Sequence, residues 1–255
     1  MCFDRDSRPP IEPASPAGNG AAGTLRSVDG TSFSVHRADA SAPSGAAVIV
    51  LPDVRGLHAY YEQLAERFAE AGVDALAIDY FGRTAGTGPR GADFEFMPHV
   101  GQARYESLVA DVGAAAADLR ERCQVRALFT VGFCFGGRLA FLAATRAELR
   151  LAGTIGFYGI VAGPGRAGMP APVELAAQMI CPVLGLFGGD DEAIPRDTIE
   201  AFDAALAAAG IDHELVTYPG APHSFFDRKA EQFASESADS WRRVKEFIGR
   251  LTPTG

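Results

Sequence analysis

The chain has 255 residues, 47% of them apolar, which is enough to fill the core of one large α/β domain without requiring two. Its net charge of −9 would repel phosphate backbones and anionic lipid, so neither a nucleic acid nor a membrane surface is an expected partner. Cys2, Cys123, Cys134 and Cys181 lack C-x-x-C spacing, no apolar run reaches the roughly 18 to 20 residues of a membrane span, and the first residues lack the apolar stretch of a secretory signal; reduced thiols and a cytoplasmic location are therefore expected.

Residues 1–23 are rich in Pro, Gly, Ala and Ser with little periodicity and read as a flexible arm ahead of a single domain over residues 24–255. Residues 25–28 and 32–36 flank Asp29-Gly30, a pair suited to a tight hairpin turn. Residues 46–51 are continuously apolar, as expected of a strand covered on both faces. Leu57, Tyr60, Tyr61, Leu64, Phe68 and Ala71 then recur at spacings of three and four with Glu62, Glu66 and Glu70 between them, predicting a helix that Gly72 stops.

The alternation continues with a strand over 73–78, a helix over 100–120, a strand over 127–131 and a helix after Cys134. Strands over 151–157 and 183–187, a helix over 196–209 and a strand over 214–218 follow. In the terminal helix Phe233, Ser237, Trp241, Val244, Ile248 and Leu251 share one face. Such alternation predicts an α/β fold with a mostly parallel sheet between helices, entered through an antiparallel hairpin. In such sheets ligands gather at the carboxyl ends of the strands, so the residues just after each strand carry the function.

After the strand at 127–131 comes Gly132-Phe133-Cys134-Phe135-Gly136-Gly137, a Gly-x-Cys-x-Gly turn opening a helix. This is the layout of a nucleophile elbow, with sulfur in place of a serine hydroxyl. A buried core thiol is the alternative for an isolated cysteine. After the strand at 183–187 comes Gly188-Gly189-Asp190-Asp191 ahead of Pro195, and after the strand at 214–218 comes Pro222-His223-Ser224. A helix N-cap and a surface histidine are the bland readings of those loops. Taken together, the three fall in the order nucleophile, acid, histidine at successive strand ends, which is the order of an α/β-hydrolase triad. Asp190 and Asp191 compete for the acid, and the position four residues before Pro195 favours Asp191. His36, His58, His99 and His213 show no metal-ligating spacing, so no metal and no cofactor is expected.

These motifs, with Leu51-Pro52-Asp53-Val54-Arg55-Gly56-Leu57, resemble the dienelactone hydrolase (carboxymethylenebutenolidase) family of α/β-hydrolases over roughly residues 44–251. The resemblance implies a Cys134-His223-Asp191 triad that hydrolyses a small ester or lactone through a thioester. It also implies an acidic residue at Asp53 that moderates the thiol, where the family usually carries Glu, and an oxyanion hole from the Val54 and Phe135 amides. Arg83 matches the family's clamp for a substrate carboxylate. The second clamp position falls on Asp227, with Arg228 displaced by one and Arg55 an additional basic residue. That departure leaves room for other small esters or thioesters, and a catalytically silent binding protein is the reading from another class. The sequence carries no sign of oligomeric state. Residues 84–97 are expected to form a loop at the pocket mouth, with Phe94, Phe96, Tyr158 and Phe225 available as walls.

Overall fold

Every residue of Ala46–Leu51 is buried, and a strand with no solvent face must be covered on both sides. A computed structural model describes residues 7–13, 20–88, 90, 93–226 and 232–254. Its strands are β1 (Gly20–Arg26), β2 (Ser32–Ala38), β3 (Ala46–Leu51), β4 (Asp74–Ile78), β5 (Ala127–Phe133), β6 (Gly153–Phe157), β7 (Val183–Gly188) and β8 (His213–Tyr218). The helices are α1 (Ala59–Glu70), α2 (Gly82–Ala85), α3 (Phe96–Gln102), α4 (Tyr105–Arg122), α5 (Phe135–Ala143), α6 (Arg196–Ala208) and α7 (Ala234–Leu251). The strands form one sheet in the order β1-β2-β4-β3-β5-β6-β7-β8. β2 is antiparallel to both β1 and β4, and every pairing from β4 through β8 is parallel.

The period of two along β3 divides the core. Ala46, Val48 and Val50 join a cluster with Tyr61, Phe68, Phe129 and Phe247 on one face of the sheet. Ala47, Ile49 and Leu51 join Leu76, Leu108, Val112 and Leu139 on the other. Two buried hydroxyls inside the sheet are satisfied: those of Thr130 and Thr154 meet at 2.8 Å, and Thr154 also donates to the Ala140 carbonyl at 2.7 Å. On α7, Trp241 packs edge-on against Phe68 of α1 with ring centroids 4.9 Å apart.

Two boundaries differ from the sequence reading. β1 begins at Gly20 and not near Leu25, and Gly20 and Gly23 pair with Ala38 and Val35, so residues 20–23 are strand rather than part of an arm. The segment is an edge strand with alternating exposure, and its small residues leave room for the His36 and Arg37 side chains, which is why it carries no β-branched signature. The helix expected over 100–120 is two helices, because Ala103 and Arg104 take extended backbone between α3 and α4. Among the described residues no helix is long and apolar enough to cross a membrane.

Candidate active site

Cys134 sits between β5 and α5 with φ 53° and ψ −108°, a left-handed conformation that a non-glycine side chain seldom adopts. Hydrogen bonds hold it there: its N–H donates to the Phe157 carbonyl at 3.0 Å, and its own carbonyl accepts from the Arg138 N–H at 3.1 Å. A Cβ on Gly132 would overlap the Gly136 carbonyl, and one on Gly136 would overlap the Leu51 and Pro52 carbonyls. Both glycines of the Gly-x-Cys-x-Gly turn are therefore required by close backbone approach, and the strained turn carries the thiol to the carboxyl end of β5.

The loops after β7 and β8 are tied together by backbone bonds from the Gly189 N–H to the Tyr218 carbonyl, 2.8 Å, and from the Asp190 N–H to the Ala221 carbonyl, 2.9 Å. That stitching places Asp191 beside His223, whose Nδ1 lies 2.6 Å from Asp191 Oδ2. A carboxylate oxygen accepts in this contact, so Nδ1 is the protonated ring nitrogen and Nε2 is the one that can act as a base. The other oxygen of Asp191 accepts the Ala193 N–H at 2.9 Å. Asp191 is buried whereas Asp190 is exposed, so of the two acids in the Gly-Gly-Asp-Asp turn it is Asp191 that meets the histidine.

After β3, Asp53 is completely buried and bonded to its neighbours. Its Oδ1 accepts the Arg55 N–H at 2.8 Å, its Oδ2 lies 3.0 Å from Arg55 Nη2, and His58 Nε2 stands 3.8 Å away. Burial opposes its ionisation, but the polar neighbour His58 and the charge of Arg55 outweigh burial and hold the carboxyl below its ordinary range. Asp53 is thus a neutralised anion. Tyr80 donates to the Pro52 carbonyl at 2.8 Å and braces the start of this loop. Burial first, then the neighbouring Asp53, Asp79 and Cys134, raise the Tyr80 phenol well above its usual value, so it stays a donor.

Cys134, Phe135, Val54 and His223 line one cavity of about 740 Å³. The Val54 and Phe135 N–H groups have no acceptor among the described residues. Phe96 reaches this cavity, but Phe94 instead packs against Phe81 and stacks on His99 at 4.9 Å. Tyr158 packs against the His223 ring at 5.0 Å, and Phe225 is buried behind Tyr158.

The arginines are arranged differently from the sequence expectation. Arg83 does not line the cavity; it forms a bidentate pair with Asp111 of α4, at 2.6 and 2.9 Å, and bonds Asp29 of the hairpin turn at 2.8 Å. In this arrangement the donors of Arg83, expected to clamp a substrate anion, serve α4 and the hairpin. Arg55 is committed to Asp53, and Arg228 lies outside the described residues.

Among the described residues the arginines at the cavity are Arg138 and Arg166. Arg138 is four residues after Cys134 on α5, and its guanidinium donates to the carbonyls of Ile160, Ala162, Gly163, Met169 and Pro170. It fastens the segment after β6 to the elbow helix. Both residues answer to the rule of looking just past a strand's carboxyl end, applied to β5 and β6.

Among the described residues Asp39, Asp74 and Cys123 bring three metal-capable atoms within 4.8 Å of one another, at the opposite end of the sheet from Cys134. Asp39 already pairs with Arg122 at 3.0 Å, and Asp74 accepts the Ala40 N–H at 2.8 Å.

Residues 33–252 match the family model described as the dienelactone hydrolase family. The chain belongs to the dienelactone hydrolase family, a family of carboxylic ester hydrolases. A protein of Escherichia coli (strain K12) assigned as a carboxymethylenebutenolidase is 31% identical over 210 residues, covering 79% of this chain and 75% of the relative. One from Methylorubrum extorquens with the same assignment is 32% identical over 213 residues, covering 79% and 70%. Among solved structures, a protein of Klebsiella pneumoniae assigned as a dienelactone hydrolase superposes with a TM-score of 0.76 at 28% identity, covering 90% of this chain and 98% of that one. The fold is accordingly the α/β-hydrolase fold, with β1 and β2 as its antiparallel hairpin.

Proposed function

We propose that this dienelactone hydrolase-family enzyme cleaves small esters and lactones with Cys134 as nucleophile, His223 as base and acid, and Asp191 as the residue that orients His223. The observation that carries this reading is the 2.6 Å contact between His223 Nδ1 and Asp191 Oδ2 at the edge of a cavity that Cys134 also lines. His223 Nε2 takes the thiol proton, and the thiolate attacks the substrate carbonyl carbon; a C–S bond forms as the carbonyl π pair moves to oxygen. The Val54 and Phe135 amides receive that oxyanion. Collapse of the tetrahedral adduct breaks the C–O bond, and His223 returns its proton to the departing enolate or alkoxide. Water then gives a proton to His223 and attacks the thioester, releasing the acid and the thiolate.

Sulfur gains thiolate character here from His223 and from the amino end of α5. Asp53 opposes ionisation less than its burial suggests, because Arg55 neutralises it. Small unsaturated lactones of the kind the family is named for fit this site, and so do other small esters, since Arg83 is committed elsewhere. A thiol nucleophile together with free Cys123 and Cys181 suits a reducing compartment, which supports a cytoplasmic location.

Turnover of 4-nitrophenyl acetate and of cis-dienelactone by the wild type, Cys134→Ala and His223→Ala tests the assignment. Turnover is expected to fall to the buffer background in Cys134→Ala, and mass spectrometry of quenched wild type to find an acyl group on the peptide bearing Cys134. Full activity in Cys134→Ala would reject the mechanism.

A further inference from the structure

The cavity over Cys134, about 740 Å³, has the size of a site for a drug-sized ligand, roughly 300–1,000 Å³. A small lactone leaves much of it empty. One side is apolar, built from Phe96, Met97, Ile160 and Met169. Met97 is 45% exposed and Ile160 37% exposed, and these are two of the four large apolar side chains that stand exposed among the described residues. Exposed apolar residues are ordinary when scattered. Two on the rim of one cavity form a surface that waits for an apolar ligand body.

The polar part of the lining is one-sided in charge. In a chain of net charge −9, no aspartate or glutamate among the described residues lines this cavity. Arg138 is buried and spends its donors on backbone carbonyls. Arg166 is exposed and stands in a short turn at Arg166–Gly168, where its carbonyl accepts the Met169 N–H at 3.1 Å while its guanidinium has no hydrogen-bond or ion-pair partner among the described residues. With Arg55 on Asp53 and Arg83 on Asp111, Arg166 is, among the described residues, the guanidinium at this cavity whose donors remain available. The turn that carries it is fastened to the elbow helix through Arg138, so its position relative to Cys134 is set by the fold.

We propose that Arg166 binds the anionic end of an amphipathic ester whose apolar body lies against Met97, Ile160 and Met169 while its carbonyl reaches Cys134. The substrate class is the hemiester of a dicarboxylic acid: an ester whose acyl part continues as an apolar chain and ends in a carboxylate. This rests on Cys134 being the nucleophile. A guanidinium suits that carboxylate because its planar fork donates two parallel hydrogen bonds.

The test compares 4-nitrophenyl hemiesters of adipate and suberate with uncharged 4-nitrophenyl esters of equal chain length, in the wild type, Arg166→Gln, Arg166→Lys and Cys134→Ala. The readout is the ratio of kcat/KM for the charged ester to that for its neutral partner. Arg166→Gln is expected to lower that ratio about tenfold, and Arg166→Lys, which keeps the charge but not the fork, to lower it by less. The ratio in the wild type falls as ionic strength rises. An unchanged ratio in Arg166→Gln, or equal use of the two esters by the wild type, would overturn the proposal. Turnover surviving in Cys134→Ala would reject the nucleophile instead, while the Arg166→Gln ratio still decides the anion site. Affinity of the uncleavable hemianilide of adipate for wild type and Arg166→Gln repeats the comparison without turnover, with about tenfold weaker binding expected in the variant.

Discussion

Arg83 and Asp111 form a two-pronged ion pair, 2.6 and 2.9 Å, that joins α2 to α4 and turns Arg83 away from the cavity over Cys134. The Asp111 side chain is wholly buried, so truncating its partner leaves a carboxylate without compensation in the protein interior. Arg83→Ala is expected to lose about 3 kcal/mol of stability, read as a lower urea midpoint at pH 7. KM for a carboxylate-bearing ester should change less than about twofold in the folded fraction. A large rise in that KM with unchanged stability would return Arg83 to the cavity.

The thiols of this chain sit in unlike surroundings. Burial, with Asp74 and Asp39 nearby, pushes Cys123 up to about 11, and burial alone pushes Cys181 up to about 12. At pH 7.5 a thiol at 11 is ionised in fewer than about one molecule in a thousand. Cys134 stands at the amino end of α5 in the cavity that His223 shares. Iodoacetamide at pH 7.5, followed by peptide mass spectrometry, should therefore alkylate Cys134 at least about tenfold faster than Cys123 or Cys181. His223→Ala should erase much of that advantage. Equal labelling of Cys134 and Cys123 would sink the activated thiol.

The unequal legibility of these features has a physical basis. Ala46–Leu51 is recognisable because a strand covered on both faces must be apolar throughout, and Gly132 and Gly136 are recognisable because backbone meets backbone at both. His223 and Asp191 stand out since each follows a strand, and topology alone brings two strand ends together. Arg83 is different in kind. Whether an arginine after β4 faces a cavity or a neighbouring helix depends on which carboxylate α4 offers, and Asp111 lies 28 residues away. Arg138 reads in sequence as a helix surface residue, and only the path of residues 160–170 makes it a buried cation bonded to carbonyls. The break at Ala103 likewise has no proline to announce it.

Asp53 gives the acid side of stability a named contributor. Burial alone would raise its pKa, but the nearby His58 and the Arg55 charge bring it below the ordinary 3.8. A folded-state value below the unfolded one means that the ionised form favours the fold. That contribution is complete above the unfolded carboxylate value of about 3.9, and it is lost as pH falls through the lower folded value. Asp53→Asn should be less stable than wild type by about 1–3 kcal/mol at neutral pH. The gap in urea unfolding should hold from pH 8 to pH 5 and narrow below about pH 4. A gap that stays constant down to pH 3 would assign the loss to packing and not to charge.

Arg138 is a positioning residue whose substitution separates loop order from chemistry. Its guanidinium holds Ala162, Gly163 and Pro170 carbonyls at 3.3, 2.6 and 2.7 Å, so removing it frees several partly buried acceptors at once. Arg138→Met keeps an unbranched stem of similar length but loses every donor. The expected result is faster amide hydrogen exchange confined to residues 160–170, with β3 and β5 amides protected as before. KM for bulky esters should rise about tenfold, because Ile160, Arg166 and Met169 lose their fixed place on the cavity wall, while kcat for 4-nitrophenyl acetate should fall far less. Uniformly faster exchange across the sheet would show Arg138 to be a general stabiliser of the domain. Unchanged exchange at 160–170 would show that the segment holds its shape without it.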